Sequence, residues 1–287
     1  MVFQQWIVDR QDLIRERQND LQFMSEEEHQ KILIFFCNFM QTLGEQLKLR
    51  QQVIATASRF YARNSLKCID PLLLAPTAIF LASKVEEFGV ISNSRLVTTC
   101  HQVVKNKFNY AYAQEFPYRT NHILECEFYL LENMDCCLIV YQPYRPLVHF
   151  VQDMGYEEQL LPTAWRMVND SLRTDTCLLY PPYQIALACL MMACVVMQKD
   201  TKSWFADIGV DMEKIQEICR YILSFYDLTK NYDEKKEVQA LLAKMPKPKT
   251  QPSRPPSSQQ PQDPNNSSSN QQQDQNVNQN QQMGMTG

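Results

Sequence analysis

The chain has 287 residues, 45% of them hydrophobic, with a formal net charge of -4. That is enough apolar material for a substantial core, and the slightly acidic balance argues against polyanion binding as the main task. No apolar run reaches the ~18 residues of a membrane span, so no membrane role is expected, and the N-terminus lacks a signal-peptide pattern.

In chain order, residues 5–22 read as a charged, weakly amphipathic helix whose larger apolar residues are Trp6, Leu13 and Leu21. It is too polar for a core helix and is expected to lie across a surface. Ser25-Glu26-Glu27-Glu28 is a capping box, and it starts a long apolar helix through Ile32, Phe35, Phe36, Phe39, Met40 and Leu43 that Gly44 is expected to stop. The next helix carries Leu49, Val53, Ala57, Phe60 and Tyr61 on one face. Asp70-Pro71 then opens a helix by capping, and from Leu72 to Ala82 no charge occurs on any face. A helix apolar all round is buried among others, yet this one ends abruptly in Lys84, Glu86 and Glu87. Leu96, Val97, Cys100, Val103 and Val104 make a fourth amphipathic segment, and Pro117 precedes a fifth with Ile123, Leu124, Phe128, Leu130 and Leu131.

Pro143 and Pro146 mark a boundary, after which helices resume over 146–154, 161–172, 183–198, a short piece near Ser203, 211–226, and a charged end over 230–245. No stretch alternates like a strand, so the chain is all-α. With Pro71 set on Pro182, Ala75 falls on Ala186 and Ala82 on Ala193, in two helices apolar all round. This suggests two copies of one helical module, each built round a central helix. Lys84 falls on Val195, so the charged end belongs to the first copy alone. The segment 246–287 is rich in Pro, Ser, Gln and Asn without an aromatic residue, and is expected to be disordered.

Chemistry has little to work with. The ten cysteines include no Cys-x-x-Cys and the four histidines no His-x-x-x-His pair, so no metal site is expected and the thiols read as small buried hydrophobes in a cytosolic or nuclear protein. The four glycines before the tail stand far apart, which leaves no phosphate loop and no cofactor of that kind. What stands out is Glu127, in the middle of an apolar face that a helical wheel assigns to Ile123, Leu124, Leu131 and Met134. A carboxylate there needs a partner, exposure at a groove, or a backbone amide to cap. The sharper reading sets Glu127 beside Lys84 at the surface as one polar spot in apolar surroundings, the composition of a protein-binding hot spot. In the second copy, Trp165, Asn169 and Asp170 lie at the edge of an apolar stripe. Core packing accounts for Trp165, and a groove binding another protein is the alternative.

Phe-Leu-Ala-Ser-Lys-Val-Glu-Glu (80–87) resembles the central helix of a cyclin box, and Glu-Cys-Glu-Phe-Tyr-Leu-Leu-Glu (125–132) resembles its fifth. The stretches 47–57, 134–141, 178–182 and 244–249 extend the resemblance over roughly residues 1–245, and it is nearest to the cyclin of the Mediator kinase module. It implies an N-terminal helix (1–24), two tandem five-helix cyclin boxes (25–140 and 141–245) and the tail (246–287).

The resemblance also implies a nuclear, non-catalytic subunit that activates a transcriptional cyclin-dependent kinase, alongside other Mediator subunits, without touching nucleic acid. Lys84 and Glu127 match the family's lysine and glutamate that hydrogen-bond the kinase backbone beside its movable helix, and Val85 lies next to them. Glu86 and Glu87 are expected either to face the kinase's activation-segment arginines in place of a phosphate, or to form a solvated helix end. Two departures stand out. The substrate-docking patch of other cyclins is replaced by Ile-Leu-Ile-Phe-Phe (32–36). The helix before Arg59 is also about four residues short of the family pattern, a loss of ~6 Å with a rotation of only ~40° that keeps the stripe through Leu49, Val53, Ala57 and Phe60. The competing readings are a cyclin-like general transcription factor, which would want a basic face and a zinc ribbon, and a helical scaffold without a kinase.

Overall fold

The computed structural model describes residues 5–246, all helix and turn, so the expected tail lies outside the described residues apart from Pro246. The first repeat comprises α2 (Glu26–Gln46), α3 (Gln51–Ala62), α4 (Pro71–Val85), α5 (Asn93–Lys107) and α6 (Thr120–Asn133). The second comprises α7 (Tyr144–Met154), α8 (Glu157–Ser171), α10 (Pro182–Val196), α11 (Lys202–Asp207) and α12 (Met212–Asn231), with a four-residue turn of helix, α9 (Thr176–Leu179), inserted before its central helix. A short α1 (Arg10–Arg17) precedes the repeats, and α13 (Glu234–Lys244) follows them. No described helix is long and apolar enough to cross a membrane.

Local chemistry sets the helix starts. Ser25 Oγ accepts from Glu28 N while Glu28 Oε2 accepts from Ser25 N, the reciprocal capping that the sequence led us to expect. Asp70 Oδ1 accepts from Leu72 N at 2.8 Å, and Pro71 occupies the first turn of α4, where its missing amide costs nothing. Everything in α4 from Pro71 to Ser83, apart from the half-buried Leu73, is buried, and the helix touches α2, α3, α5 and α6. In the second repeat α10 likewise touches α7, α8 and α12. The two central helices end alike. Glu87 (φ +50°) and Gln198 (φ +53°) are left-handed, with Phe88 N donating to Ser83 O at 3.1 Å and Lys199 N to Cys194 O at 2.9 Å. These are the positions that the 71-to-182 register pairs.

Three expectations change. Gly44 does not stop α2, which runs on to Gln46; an added Cβ there would lie 2.5 Å from Ile54 Cδ1, so glycine is present to let α3 approach. The closing helix α13 follows the second repeat in sequence but packs on α2 of the first. Val238 and Leu241 enter the first core, and Lys31 bonds Glu237 at 2.9 Å.

The N-terminal segment is also no surface helix over 5–22. Its helix covers only Arg10–Arg17, and Trp6 is fully buried, stacked on Phe60 with ring centres 5.6 Å apart. Arg17 forms a two-pronged pair with Asp175, and the buried Asp20 accepts from Ser65 Oγ (2.7 Å), Leu66 N and Lys67 N. Mean polarity concealed an anchor: one large ring and two carboxylate-centred staples outweigh the charged residues between them.

The helix α3 lies at the junction of the repeats. Val53, Ala57 and Phe60 belong to the first core and Ala55 to the second, so the helix is buried from Val53 through Ala62. That traps Arg59. Its guanidinium donates to Tyr141 O at 3.1 Å and Trp6 O at 3.5 Å and lies 5.6 Å from the Trp6 ring, and burial lowers its pKa. Trp6→Ala should therefore lower unfolding free energy by about 3 kcal/mol in denaturant melts. A loss under about 1 kcal/mol would show that the N-terminal segment is peripheral.

Candidate functional site

The charged end of α4 emerges where α6 crosses it. Glu127 sits in the buried stripe of α6 with Ile123, Cys126 and Leu130, and its carboxylate meets Lys84 Nζ in an ion pair. The ammonium also lies 4.3 Å from the centre of the buried Phe80 ring. The glutamate side chain is 10% exposed and the lysine 35%, so a nearly buried carboxylate is neutralised by a cation that still reaches solvent. Lys84 keeps donors to spare, and Glu127 makes no other hydrogen bond among the described residues.

Of the four residues that the helical wheel assigns to the apolar face of α6, Ile123 and Met134 are buried and Leu131 is half-buried against the first core. Leu124 faces outward, and Met134 joins Ile123, Cys126 and Leu130 inside. Phe128, which the sequence reading left without a role at the site, is 73% exposed on the turn after Leu124, beside Glu127. An exposed phenylalanine next to a part-buried ion pair has the composition of a protein-docking surface. Among the described residues no cluster of His, Cys, Asp and Glu could hold a metal ion.

The neighbours of Lys84 divide. Val85 is half-buried against the first core. Glu86 turns inward, and its two oxygens accept from Gln52 Nε2 and Thr56 Oγ1, each at 2.6 Å. Thr56 Oγ1 in turn accepts from Gln142 Nε2 of the inter-repeat segment at 3.0 Å. A carboxylate at a helix C-terminus opposes the helix dipole, and these donors offset that cost. Glu87 is exposed in its left-handed conformation. Glu86 is thus half-buried and held by two donors, and Glu87 is the more open of the pair. The Gln52–Thr56–Gln142 clamp carried no sequence signal, because its members are polar residues on three separate segments.

In the second repeat, Trp165 is half-buried and its ring centre lies 4.5 Å from that of Tyr144. Tyr144 OH donates to Asn169 Oδ1 and Tyr226 OH to Asp170 Oδ2, both at 2.9 Å. Burial, followed by the Asp170 charge, pushes the Tyr226 phenol up. Arg173, paired with Asp170, reaches across to Asn38 of α2 at 3.0 Å. Asp170 is thus linked through Arg173 to the first repeat and Asn169 to Tyr144, while Trp165 packs on the second core, all three apart from the Lys84 site.

A five-helix module is used twice, each copy wound round a buried helix, and the first copy ends in a paired lysine and glutamate, an arrangement of tandem cyclin boxes. The chain belongs to the cyclin family: the cyclin N-terminal domain model matches residues 4–139 and the cyclin C-terminal domain model residues 142–244. It is 70% identical to Cyclin-C of Drosophila melanogaster over 256 residues, 88% of this chain and 96% of that one. It is 64% identical to Cyclin-C of Rattus norvegicus over 267 residues, 92% and 93% of the two chains. A chain in the CAK complex from Chaetomium thermophilum shares the fold with a TM-score of 0.62 at 19% identity, covering 86% of this chain and 88% of that one.

Glu86→Ala should cost about 1–2 kcal/mol of stability by leaving Thr56 and Gln52 without their acceptor, whereas Glu87→Ala should change it by less than about 0.5 kcal/mol. Thermal melts of the two variants side by side check this; equal effects would remove the clamp.

Proposed function

We propose that this chain binds and activates a transcriptional cyclin-dependent kinase of the Mediator kinase module, and so regulates RNA polymerase II transcription in the nucleus. The observation that carries the reading is the Lys84–Glu127 pair, nearly buried yet open to solvent through the lysine and flanked by Phe128. The similarity to Cyclin-C of fly and rat supports the choice of kinase class.

Lys84 would donate to a kinase carbonyl and Glu127 accept a kinase amide at the end of the kinase's movable helix, while Phe128 and Leu124 cover its apolar side. Holding that helix inward completes the kinase's own Lys–Glu pair and orders its phosphate-binding geometry. The cyclin performs no chemistry; it stabilises one of two kinase states. Glu87 presents its carboxylate to activation-segment arginines in place of a phosphate. Glu86 holds the turn that carries it. Trp165, Asn169 and Asp170 at the junction take another Mediator subunit.

Lys84→Ala with Glu127→Ala should weaken kinase binding and activation by ~30-fold or more in a reconstituted pair, with little loss of melting temperature. Normal activation by the double variant would remove the central claim. Glu87→Gln should lower kinase activity while leaving binding within about threefold, since it acts on the activation segment rather than on docking.

A further inference from the structure

A cleft of about 560 Å³ opens where α1, the start of α2, α9 and α12 meet, and neither Lys84 nor Trp165 lines it. That is the size of a small-molecule site. Its frame is preformed. Val8 N donates to Leu178 O at 2.8 Å, Gln30 Nε2 donates to Arg173 O, and Arg17 and Asp175, both of which line the cleft, form their two-pronged pair. Leu13, Leu21, Phe225 and Leu228 make its walls apolar.

One lining residue is not explained by packing. His29, near the start of α2, has a side chain only 8% exposed, yet its ring makes no hydrogen bond among the described residues. Asp20 Oδ2 lies 3.9 Å from Nε2, beyond bonding distance, and that carboxylate already accepts from Ser65, Leu66 and Lys67. Burial first, and the Arg17 charge after it, lower the His29 pKa to about 4, so the ring is neutral near pH 7 and offers one donor and one acceptor. A leucine or phenylalanine would fill this position without leaving a polar ring unmatched.

The charges around the cleft disfavour an ionic ligand. Arg17 and Asp175 neutralise each other, Glu27 is paired with Lys31 at 2.9 Å, and Asp227 with Lys230 at 3.1 Å. An anion would meet Asp175, Glu26, Glu27 and Asp227, and a cation would meet Arg10 and Arg17. What stands unmatched is one neutral imidazole between apolar walls.

We propose that this cleft binds a small, uncharged, mainly apolar molecule whose single hydroxyl or amide bonds the His29 imidazole. The site is independent of the kinase-docking face. Because α1 and α2 form one side of it and α9 and α12 the other, occupancy ties the N-terminal segment to the second repeat and raises the melting temperature.

The test titrates the full chain with four molecules that share a tolyl body, p-cresol, toluene, p-toluate and 4-methylbenzylamine, and follows the His29 ring signals by NMR. p-Cresol should shift those signals saturably and bind at least about tenfold more tightly than toluene or either ion. His29→Phe should bring p-cresol down to the toluene level while leaving toluene's own affinity within about threefold. Leu228→Trp, on the half-buried wall, should fill the cleft and abolish p-cresol binding, and it provides the same answer if His29→Phe folds poorly. The proposal is overturned by any of four results: no saturable p-cresol binding, equal affinity for p-cresol and toluene, tighter binding of either ion, or p-cresol binding that persists in a folded variant.

Discussion

A helix buried on every side can meet water only at its ends, and the rest of this fold follows from that constraint. With α4 and α10 enclosed by their neighbours, each repeat has one place where the central helix reaches the surface and a second helix crosses beside it. Burial costs the termini their carbonyl partners, and both helices recover them through the same left-handed closing turn at Glu87 and Gln198. A non-glycine residue is mildly strained in that conformation, yet both copies adopt it.

How much of this was legible in the sequence depended on whether the signal was local. Capping at Ser25 and Asp70, the apolar 72–82 run and the pairing of Pro71 with Pro182 are read from neighbouring residues, and they give the repeat and its hubs. Lys84 beside Glu127 was also accessible, since a carboxylate in an apolar stripe demands a partner and few cations end a buried helix. Trp6 was misread because averages over a window hide one large ring. Gly44 was misread because a close approach and a helix stop demand the same residue. Glu86 and Phe128 needed the third dimension: whether a side chain at a helix end turns in or out depends on Thr56 and Gln142, which lie 30 and 56 residues away in the chain.

The short α3 shows how the two repeats share one framework. Serving both cores, it has no solvent face from Val53 through Ala62. Within it lies a buried guanidinium at Arg59, met by two carbonyls and an indole rather than a carboxylate. It welds α3, the inter-repeat segment and the N-terminal strap at one point, and leaves its Nε unpartnered among the described residues.

The return of α13 to α2 bears on how the chain is made. Val238 and Leu241 are core residues of the first repeat, but they lie beyond the whole of the second. A nascent chain emerging from the ribosome must therefore hold the first module incomplete, with Tyr110 and Asn38 lacking the Glu234 they both bond, while about a hundred further residues are synthesised. The first module is the first to begin folding and the last to finish, and a truncation between residues 140 and 233 would strip it of its closing helix.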